Sequence, residues 1–344
     1  MKRAAMLLRR WAMVVAYWVA AVFLFTSLPL WAVGLALVST LSHGRWRALR
    51  AMWVLVVYVW TSAATLAALV MLWVASGFGW KLRSPTFQEL HYRLLGLHLA
   101  IVVGSGRRAF HVRFRWDDRE GAPPRGVGVP VIVVSRHAGP GDSLFLMEAI
   151  LNRFHRRPVV VLKEMLRWEP VVDIALGRLP SWFVPAQRGA GTDVTAALSR
   201  LAAGLGARSN LVIFPEGENF TPRRRLRRIE RFEQSGKTDL AERAGSLQHV
   251  LLPRVNGLRT VLEAAPTAAV VILGHAGLEH LSTAGDLWRG VPMDADVVVR
   301  AWYFAPDEVP RGPELDDWLL AHWDALDGWI AEADTAAERR RVPA

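Results

Sequence analysis

The stretch that decides the fold is Val131-Ile-Val-Val-Ser-Arg-His137-Ala-Gly-Pro-Gly-Asp142. It begins with apolar β-branched residues and continues with Gly and Pro, which is the pattern of a buried strand that ends in a turn. A similar run, Leu211-Val-Ile-Phe-Pro215-Glu216-Gly217, lies downstream. In open α/β sheets, ligands bind at the carboxyl ends of the strands. We therefore expect the polar residues that follow these two strands to form a site.

The histidine and aspartate of the first run can act together as a base. Imidazole titrates near neutral pH, so His137 can take a proton from a hydroxyl if a carboxylate fixes its tautomer. Asp142 stands five residues later. With this pair the substrate hydroxyl can attack directly, and no protein nucleophile is needed. The spacing also has a structural interpretation, because Asp142 precedes an apolar run and is suited to cap a helix.

Together, and in this order, the two motifs resemble the glycerophospholipid acyltransferase family, typified by 1-acylglycerol-3-phosphate acyltransferases, over about residues 85–305. The resemblance implies that His137 is the general base and that Asp142 orients it. It also implies that the second motif helps to hold the acceptor, through Phe214, Pro215, Glu216 and Gly217.

Two further segments carry the resemblance more weakly. A middle motif runs from Gly177 to Arg188, and Lys163 resembles a lysine that many members carry before it. Lys163 and Arg188, with Glu216, are thereby implied to hold the phosphate and glycerol of the acceptor. The segment around Pro253-Arg254 is similar to a block of the lysocardiolipin acyltransferase branch.

The chain departs from the family pattern near the motifs. Arg136 precedes the histidine where members more often have Asn, and Pro185-Ala-Gln lengthens the middle motif. Glu218-Asn219 stands where Thr or Ser followed by Arg is common. These differences leave the reaction class unchanged, but they leave the acceptor head group open.

Beyond residue 85, strand and helix patterns alternate, which predicts an α/β fold with a mixed sheet flanked by helices. Candidate strands are 109–115, 130–135, 158–162, 211–214, 268–273 and 297–304. Candidate helices include 86–100, 142–155, 192–204, 256–264 and 315–332.

Two uncharged apolar runs precede this domain. Residues 11–44 and 51–80 contain no Asp, Glu, Lys or Arg, and each run exceeds the roughly 20 residues that span a bilayer. We expect a membrane region over 1–80, with transmembrane segments at about 11–40 and 51–78, followed by a catalytic domain over 81–344. Pro29 leaves a kinked span or a re-entrant hairpin open, and a cleaved signal peptide is an alternative for the first run.

Basic charge indicates the orientation and the surroundings. Lys2, Arg3, Arg9 and Arg10 precede the first run and Lys81, Arg83 and Arg93 follow the second, against Arg45, Arg47 and Arg50 between them. The larger number of basic residues on the two flanks taken together favours a cytoplasmic catalytic domain. The net charge of +11 favours an anionic membrane surface and a polyanionic donor. Arg and Ala richness suggests a bacterial source, so we expect the bacterial inner membrane. The absence of cysteine excludes disulfides and thiolate chemistry.

Three other patterns allow more than one interpretation. Residues 223–231 contain six arginines, which favours contact with anionic lipid over an inert face, and over nucleic acid because interleaved aromatic residues are missing. His275 and His280 could resemble metal ligands, but a turn with one exposed histidine is favoured. An apolar stripe between Leu315 and Ile330 predicts core packing, with a membrane-lying helix as the alternative.

The sequence thus predicts a membrane-bound O-acyltransferase that needs no metal or bound cofactor. Its donor would be acyl-CoA or acyl-carrier protein, and its acceptor a lysophospholipid, with 1-acylglycerol-3-phosphate giving phosphatidic acid as the favoured case. Another lysophospholipid, a glycolipid or a secondary-metabolite hydroxyl is the alternative acceptor. A non-catalytic membrane protein that retains the fold is the second alternative.

Overall fold

A computed structural model describes residues 2–41, 46–117, 128–139, 141–185, 194–277 and 284–341. The chain forms two compact units. The first unit comprises Met1–His111, Leu144–Thr192 and Val291–Met293. The second unit comprises Val112–Ser143, Asp193–Gly290 and Asp294–Ala344.

Long helices begin the first unit. They are α1 (Lys2–Leu41), α2 (Arg47–Ala75) and α3 (Pro85–Phe110). Among the described residues, Leu8–Thr40 and Arg47–Ala75 are long and apolar enough to cross a membrane by length and composition. The two apolar runs therefore form two long apolar helices, as the sequence predicts, and their insertion into a bilayer stays a prediction.

Helix α1 continues through Pro29. The hydroxyls of Thr26 and Ser27 donate to backbone carbonyls one turn earlier, including the Ser27 hydroxyl to Phe23 at 2.6 Å. Such bonds, like a proline, bend a helix without ending it. The structure therefore has one continuous helix here and not a hairpin.

The core of the first unit joins α2 and α3 to a later segment. Its buried residues are Leu66, Leu69, Tyr92, Leu95, Val171, Ile174, Ala175 and Leu179. Because α3 packs against α2 in this core, the compact unit extends past the boundary expected at residue 80. The functional division into residues 1–80 and 81–344 stays a prediction.

Two strands complete the first unit. Strand β3 (Arg157–Lys163) pairs in parallel with β4 (Ser181–Val184). Strand β4 was missed from the sequence because a run of four residues is too short to show a period.

Helix α4 (Asp142–Glu148) continues into a π-helical turn, Ala149–Arg153.

A mixed sheet forms the centre of the second unit. Its strands are β1 (Val112–Asp117), β2 (Val131–Ser135), β5 (Ser209–Ile213), β6 (Ala269–Ala276) and β7 (Ala295–Phe304). They lie in the order β1-β7-β6-β2-β5. All neighbours are parallel except β6 and β7. Every residue of β2 and of β6 is buried. The predicted α/β fold with a mixed sheet is thus confirmed.

Helices surround this sheet. They are α5 (Val194–Ala203), α6 (Pro222–Gln234), α7 (Thr238–Ser246), α8 (Val255–Ala264), α9 (Ala284–Gly290) and α10 (Glu314–Arg341). The apolar stripe of α10 is fully buried at Leu319, Trp323 and Leu326. Core packing, rather than a membrane-lying helix, is therefore the correct interpretation of that stripe.

Some element boundaries differ from those expected. Residues 109 and 110 belong to α3, and His111 ends that helix with a left-handed φ of 55°, so β1 begins later than predicted. The basic run forms α6, where the sequence predicts contact with anionic lipid but no helix. Thr221 caps α6 by accepting from the N–H of Arg224, and Pro222 occupies its first turn.

Candidate active site

The end of β2 is fixed to β6 by Arg136. Its backbone N–H donates to the carbonyl of Leu273 at 3.2 Å, which extends the strand pairing by one residue. Its guanidinium is fully buried and donates to the carbonyls of His275 at 2.5 Å and His249 at 2.8 Å. The residue that departs from the family pattern is therefore a structural brace directly before His137.

His137 and Asp142 form the predicted pair. Nδ1 of His137 lies 2.9 Å from Oδ2 of Asp142. The same oxygen accepts the backbone N–H groups of Ala138 at 2.8 Å and Gly139 at 3.1 Å, and Oδ1 accepts the N–H of Ser143 at 2.6 Å. Asp142 therefore closes the turn, begins α4 and faces the imidazole at once. Its carboxylate requires the proton on Nδ1, which leaves Nε2 as the basic nitrogen.

The charge of Asp142 is retained despite its burial. Its side chain is only 4% exposed. Burial by itself would raise the pKa of Asp142, but the hydrogen bond from His137 and the nearby ring of His275 lower this pKa well below the usual range. The carboxylate is thus available as an anion to stabilise an imidazolium on His137.

Glu216 connects the second motif to the first. It is fully buried, and its Oε1 accepts the backbone N–H of His137 at 2.9 Å while its Oε2 accepts that of Leu251 at 2.9 Å. Burial raises the pKa of Glu216 to about 7, although the Arg136 guanidinium and the two N–H groups favour the charged form. Both oxygens bind the protein backbone, so direct contact with an acceptor stays a prediction.

The other residues of the second motif shape the turn after β5. The ring of Phe214 lies 4.7 Å from the ring of His137 at an interplanar angle of 32°. The carbonyl of Pro215 accepts the N–H of Arg254 at 2.9 Å. Gly217 has a φ of +76°, a conformation that favours glycine. The structure therefore brings Phe214, Pro215, Glu216 and Gly217 together with His137 and Asp142.

Two predicted acceptor-binding residues are not among the described residues of the second unit. Lys163 is the exposed last residue of β3 in the first unit. Arg188 falls in residues 186–193, outside the described residues. The roles of Lys163 and Arg188 stay predictions.

Sequence reasoning misjudged His275. The structure places His275 in a strand and not in the expected turn, because β6 continues to Ala276 through antiparallel pairing with β7, where His275 lies opposite Val299. His275 is 3% exposed, and its Nε2 lies 3.8 Å from Oδ2 of Asp142. His280 lies outside the described residues. The local sequence gives no signal that the strand continues, because Gly274 separates His275 from the apolar run before it.

Arg254 lies next to the second motif, although the sequence motifs assign it no role. Its guanidinium carbon and Nη1 lie 3.5 Å from the position that a Cβ on Gly217 would take. Its side chain is exposed, so this cation borders the second motif on its solvent side. Among the described residues, no group of three or more His, Asp or Glu side chains could hold a metal ion. Independence from metals and bound cofactors stays a prediction.

Comparisons with known proteins relate part of this chain to acyltransferases. The acyltransferase family model matches residues 113–272. No curated protein sequence matches the chain. The solved structures similar to it include the 1-acyl-sn-glycerophosphate acyltransferase PlsC from Thermotoga maritima, at 15% identity and a TM-score of 0.43, over 78% of this chain and 95% of that one. The match over residues 113–272, which include both motifs, is consistent with the resemblance to acyltransferases that the sequence indicates.

Proposed function

We propose that the protein is a membrane-bound O-acyltransferase. It transfers a fatty acyl group from acyl-CoA or acyl-carrier protein to a hydroxyl of a lysophospholipid, with 1-acylglycerol-3-phosphate giving phosphatidic acid as the favoured reaction. The 2.9 Å contact between Nδ1 of His137 and Oδ2 of Asp142, within a segment that matches the acyltransferase family, carries this proposal.

The pair can supply each proton transfer of the reaction. Nε2 of His137 takes the proton of the acceptor hydroxyl, and the resulting oxygen attacks the thioester carbonyl. Asp142 stabilises the imidazolium that forms. When the tetrahedral intermediate collapses, the carbon–sulfur bond breaks and the imidazolium returns its proton to the thiolate. The products are an ester and a free thiol, and the histidine is regenerated.

Arginines near the second motif support an anionic acceptor. Arg228 is 7% exposed and donates to the carbonyl of Glu216 at 3.2 Å. Burial, followed by the nearby charge of Arg254, lowers the pKa of Arg228. Two neighbouring cations that destabilise each other favour an anion beside them, such as the phosphate of a lysophospholipid. Arg254 thus joins Lys163 and Arg188 as a candidate phosphate ligand.

One observation favours the alternative acceptor. Glu218, directly after Gly217, is partly exposed and lies 3.3 Å from the guanidinium of Arg224. Glu218 therefore occupies a cation next to the motif that would otherwise be free to bind a phosphomonoester. An acceptor with a neutral or zwitterionic head group, or a glycolipid, is therefore the second candidate.

The membrane part of the proposal rests on α1, α2 and the outer face of α6. Arg223, Arg227 and Arg231 are spaced by four residues and are all exposed, so they form one basic row. Near a membrane, each such residue contributes about 1 kcal/mol of attraction to anionic lipid. This row fits anionic lipid as a partner at the cytoplasmic face of the bacterial inner membrane.

An acceptor panel tests the proposal. Membranes that contain the protein are incubated with labelled acyl-CoA and, separately, with 1-acylglycerol-3-phosphate, lysophosphatidylcholine, lysophosphatidylglycerol and a monoglycosyl acylglycerol. We expect the label to appear first in phosphatidic acid. Faster labelling of another lipid would select the second acceptor class. No labelling with either acyl-CoA or acyl-carrier protein as donor would support the non-catalytic alternative.

A further inference from the structure

A second histidine faces the carboxylate of the proposed catalytic pair. Nε2 of His275 lies 3.8 Å from Oδ2 of Asp142, the same oxygen that contacts Nδ1 of His137 at 2.9 Å. His275 is 3% exposed and Asp142 is 4% exposed. The anion thus lies between two imidazole rings where water has little access.

The surroundings of His275 offer its ring little else. Among the described residues, neither Nδ1 nor Nε2 of His275 has a hydrogen-bond partner. Buried polar groups in native proteins are nearly always satisfied, so one that is not requires an explanation. An apolar side chain would fill the same space without leaving two nitrogens unsatisfied. A role in packing alone therefore does not account for a histidine at this position.

The backbone around His275 is held firmly. Arg136 donates to its carbonyl oxygen at 2.5 Å, and β6 is paired on both sides, with β2 and with β7. The backbone from which the ring extends is therefore fixed in position relative to Asp142. A separation of 3.8 Å is longer than a hydrogen bond, but such contacts in catalytic sites often shorten in the complex with substrate.

We propose that His275 is a positioning residue, whose Nε2–H faces Oδ2 of Asp142 and holds that carboxylate toward Nδ1 of His137. This inference rests on the proposed function. His275 does not touch the reacting atoms. It acts through Asp142, by keeping the anion ordered in a buried place and by stabilising the arrangement that forms when His137 takes the proton of the acceptor.

Three substitutions separate positioning from packing. Glutamine can place an amide N–H near the position of Nε2, asparagine places one near Nδ1, and leucine fills the space without a donor. We expect kcat to fall about 10- to 100-fold in His275→Leu and His275→Asn, the range of a hydrogen bond to a charged group. We expect His275→Gln to stay within about 3-fold of the parent, and the KM values of donor and acceptor to change little in all three variants, because the contribution is made in the transition state.

A second measurement does not depend on turnover. The Nδ1 proton of His137 is observed by ¹H NMR in the full-length protein in detergent micelles and assigned through its loss in His137→Ala. We expect its exchange with water to be about tenfold faster in His275→Leu than in the parent or in His275→Gln, because a less ordered carboxylate protects the proton less well.

The outcomes separate this proposal from the proposed function. If the parent transfers no acyl group but the exchange rates follow the expected order, the proposed function fails and the positioning role stands. If His275→Leu keeps the parent kcat and the parent exchange rate, His275 is a packing residue and the positioning proposal is overturned. Equal losses in the Leu and Gln variants would also overturn it, because the donor would then not matter.

Discussion

At the scale of single residues, Asp142 explains why the histidine and the aspartate stand five residues apart. Its Oδ2 accepts from the turn residues Ala138 and Gly139 as well as from His137, and its Oδ1 accepts from Ser143 at the start of α4. The capping and the catalytic interpretations of Asp142 are therefore compatible. One side chain closes the turn and contacts the ring that we propose as the base.

Replacing Asp142 by Asn should separate these roles. The amide keeps one acceptor oxygen and stays neutral, so it cannot stabilise the imidazolium; we expect kcat to fall about 10²- to 10⁴-fold. The free energy of unfolding should fall by about 1–3 kcal/mol. The N–H groups that now donate to two carboxylate oxygens would have a single amide oxygen as their acceptor. Asp239→Asn, at the exposed start of α7, is the matched control and should change neither quantity appreciably. Full activity in Asp142→Asn would reduce Asp142 to a structural cap.

Glu216 should make stability depend on pH. Burial raises its pKa to about 7 in the folded state, above the ordinary value of about 4.3. The folded protein therefore binds more protons than the unfolded chain between these values. The stability that the protonated form of Glu216 contributes is fully present below the unfolded-state pKa. It is lost as the pH rises through the folded-state pKa.

From about pH 5 to pH 8, the free energy of unfolding of the parent should consequently fall relative to that of Glu216→Gln. Chemical unfolding in detergent at several pH values measures this difference. Glu233→Gln, which removes an exposed carboxylate on α6, provides the control and should show no such trend. A difference that grows in favour of the parent over this range would contradict the prediction.

The motifs predicted the site residues unevenly, for physical reasons. His137, Asp142 and Phe214 to Gly217 follow strands, and the register of β2 with β5 brings those strand ends together. The position of Glu216 between two backbone N–H groups could not be predicted, because Leu251 is 35 residues away in the chain. The burial of His275 depends on its pairing with β7, which its local sequence does not specify.

At the scale of elements, the close approach of α10 to β6 depends on Gly274. A Cβ at this position would collide with Leu326 and lie 3.1 Å from Trp329. Both residues belong to the apolar stripe of α10, and the sequence predicted that stripe correctly because it repeats with helical periodicity. The short strand β4 and the charged helix α6 were missed because neither shows a clear apolar period.

Gly274→Ala should therefore destabilise the protein by about 1–3 kcal/mol, because the added methyl group overpacks the contact between α10 and β6. Gly257→Ala is the matched control. Gly257 lies in α8 with nothing within 4 Å of its would-be Cβ, so we expect an unchanged or slightly increased stability. Thermal unfolding of the two variants in detergent compares them, and equal midpoints would contradict the proposed packing.

At the scale of the whole molecule, each compact unit is built from segments that are separated in the sequence. Leu144–Thr192 joins the N-terminal helices in the first unit, and its residues Val171 and Ile174 lie in one core with Leu66 and Leu69. A sequence pattern reports only on residues that are close together in the chain. It therefore predicts the helices α1 and α2, but not that Leu144–Thr192 packs in the same unit. Contacts between residues distant in sequence are set by packing.

The absence of cysteine allows a direct test of orientation. If α1 and α2 form the two proposed antiparallel spans, we expect the segment between them to lie outside and the second unit to lie in the cytoplasm. In intact cells, a membrane-impermeant thiol reagent should label Ser42→Cys but not Ser235→Cys, an exposed position at the end of α6. Permeabilised cells should label both. Labelling of Ser235→Cys alone in intact cells would reverse the orientation, and labelling of neither would contradict the two-span topology.

Acyl transfer by the parent and by His137→Ala tests the central claim most directly. Membranes with equal amounts of each protein receive labelled acyl-CoA and 1-acylglycerol-3-phosphate, and labelled phosphatidic acid is measured over time. His155→Asn is the control, because His155 is exposed and has a left-handed φ of 53° that Asn tolerates. We predict that the parent and His155→Asn form product at similar rates and that His137→Ala is about 10²- to 10⁴-fold slower. Product formation by His137→Ala within a few-fold of the parent would contradict the account.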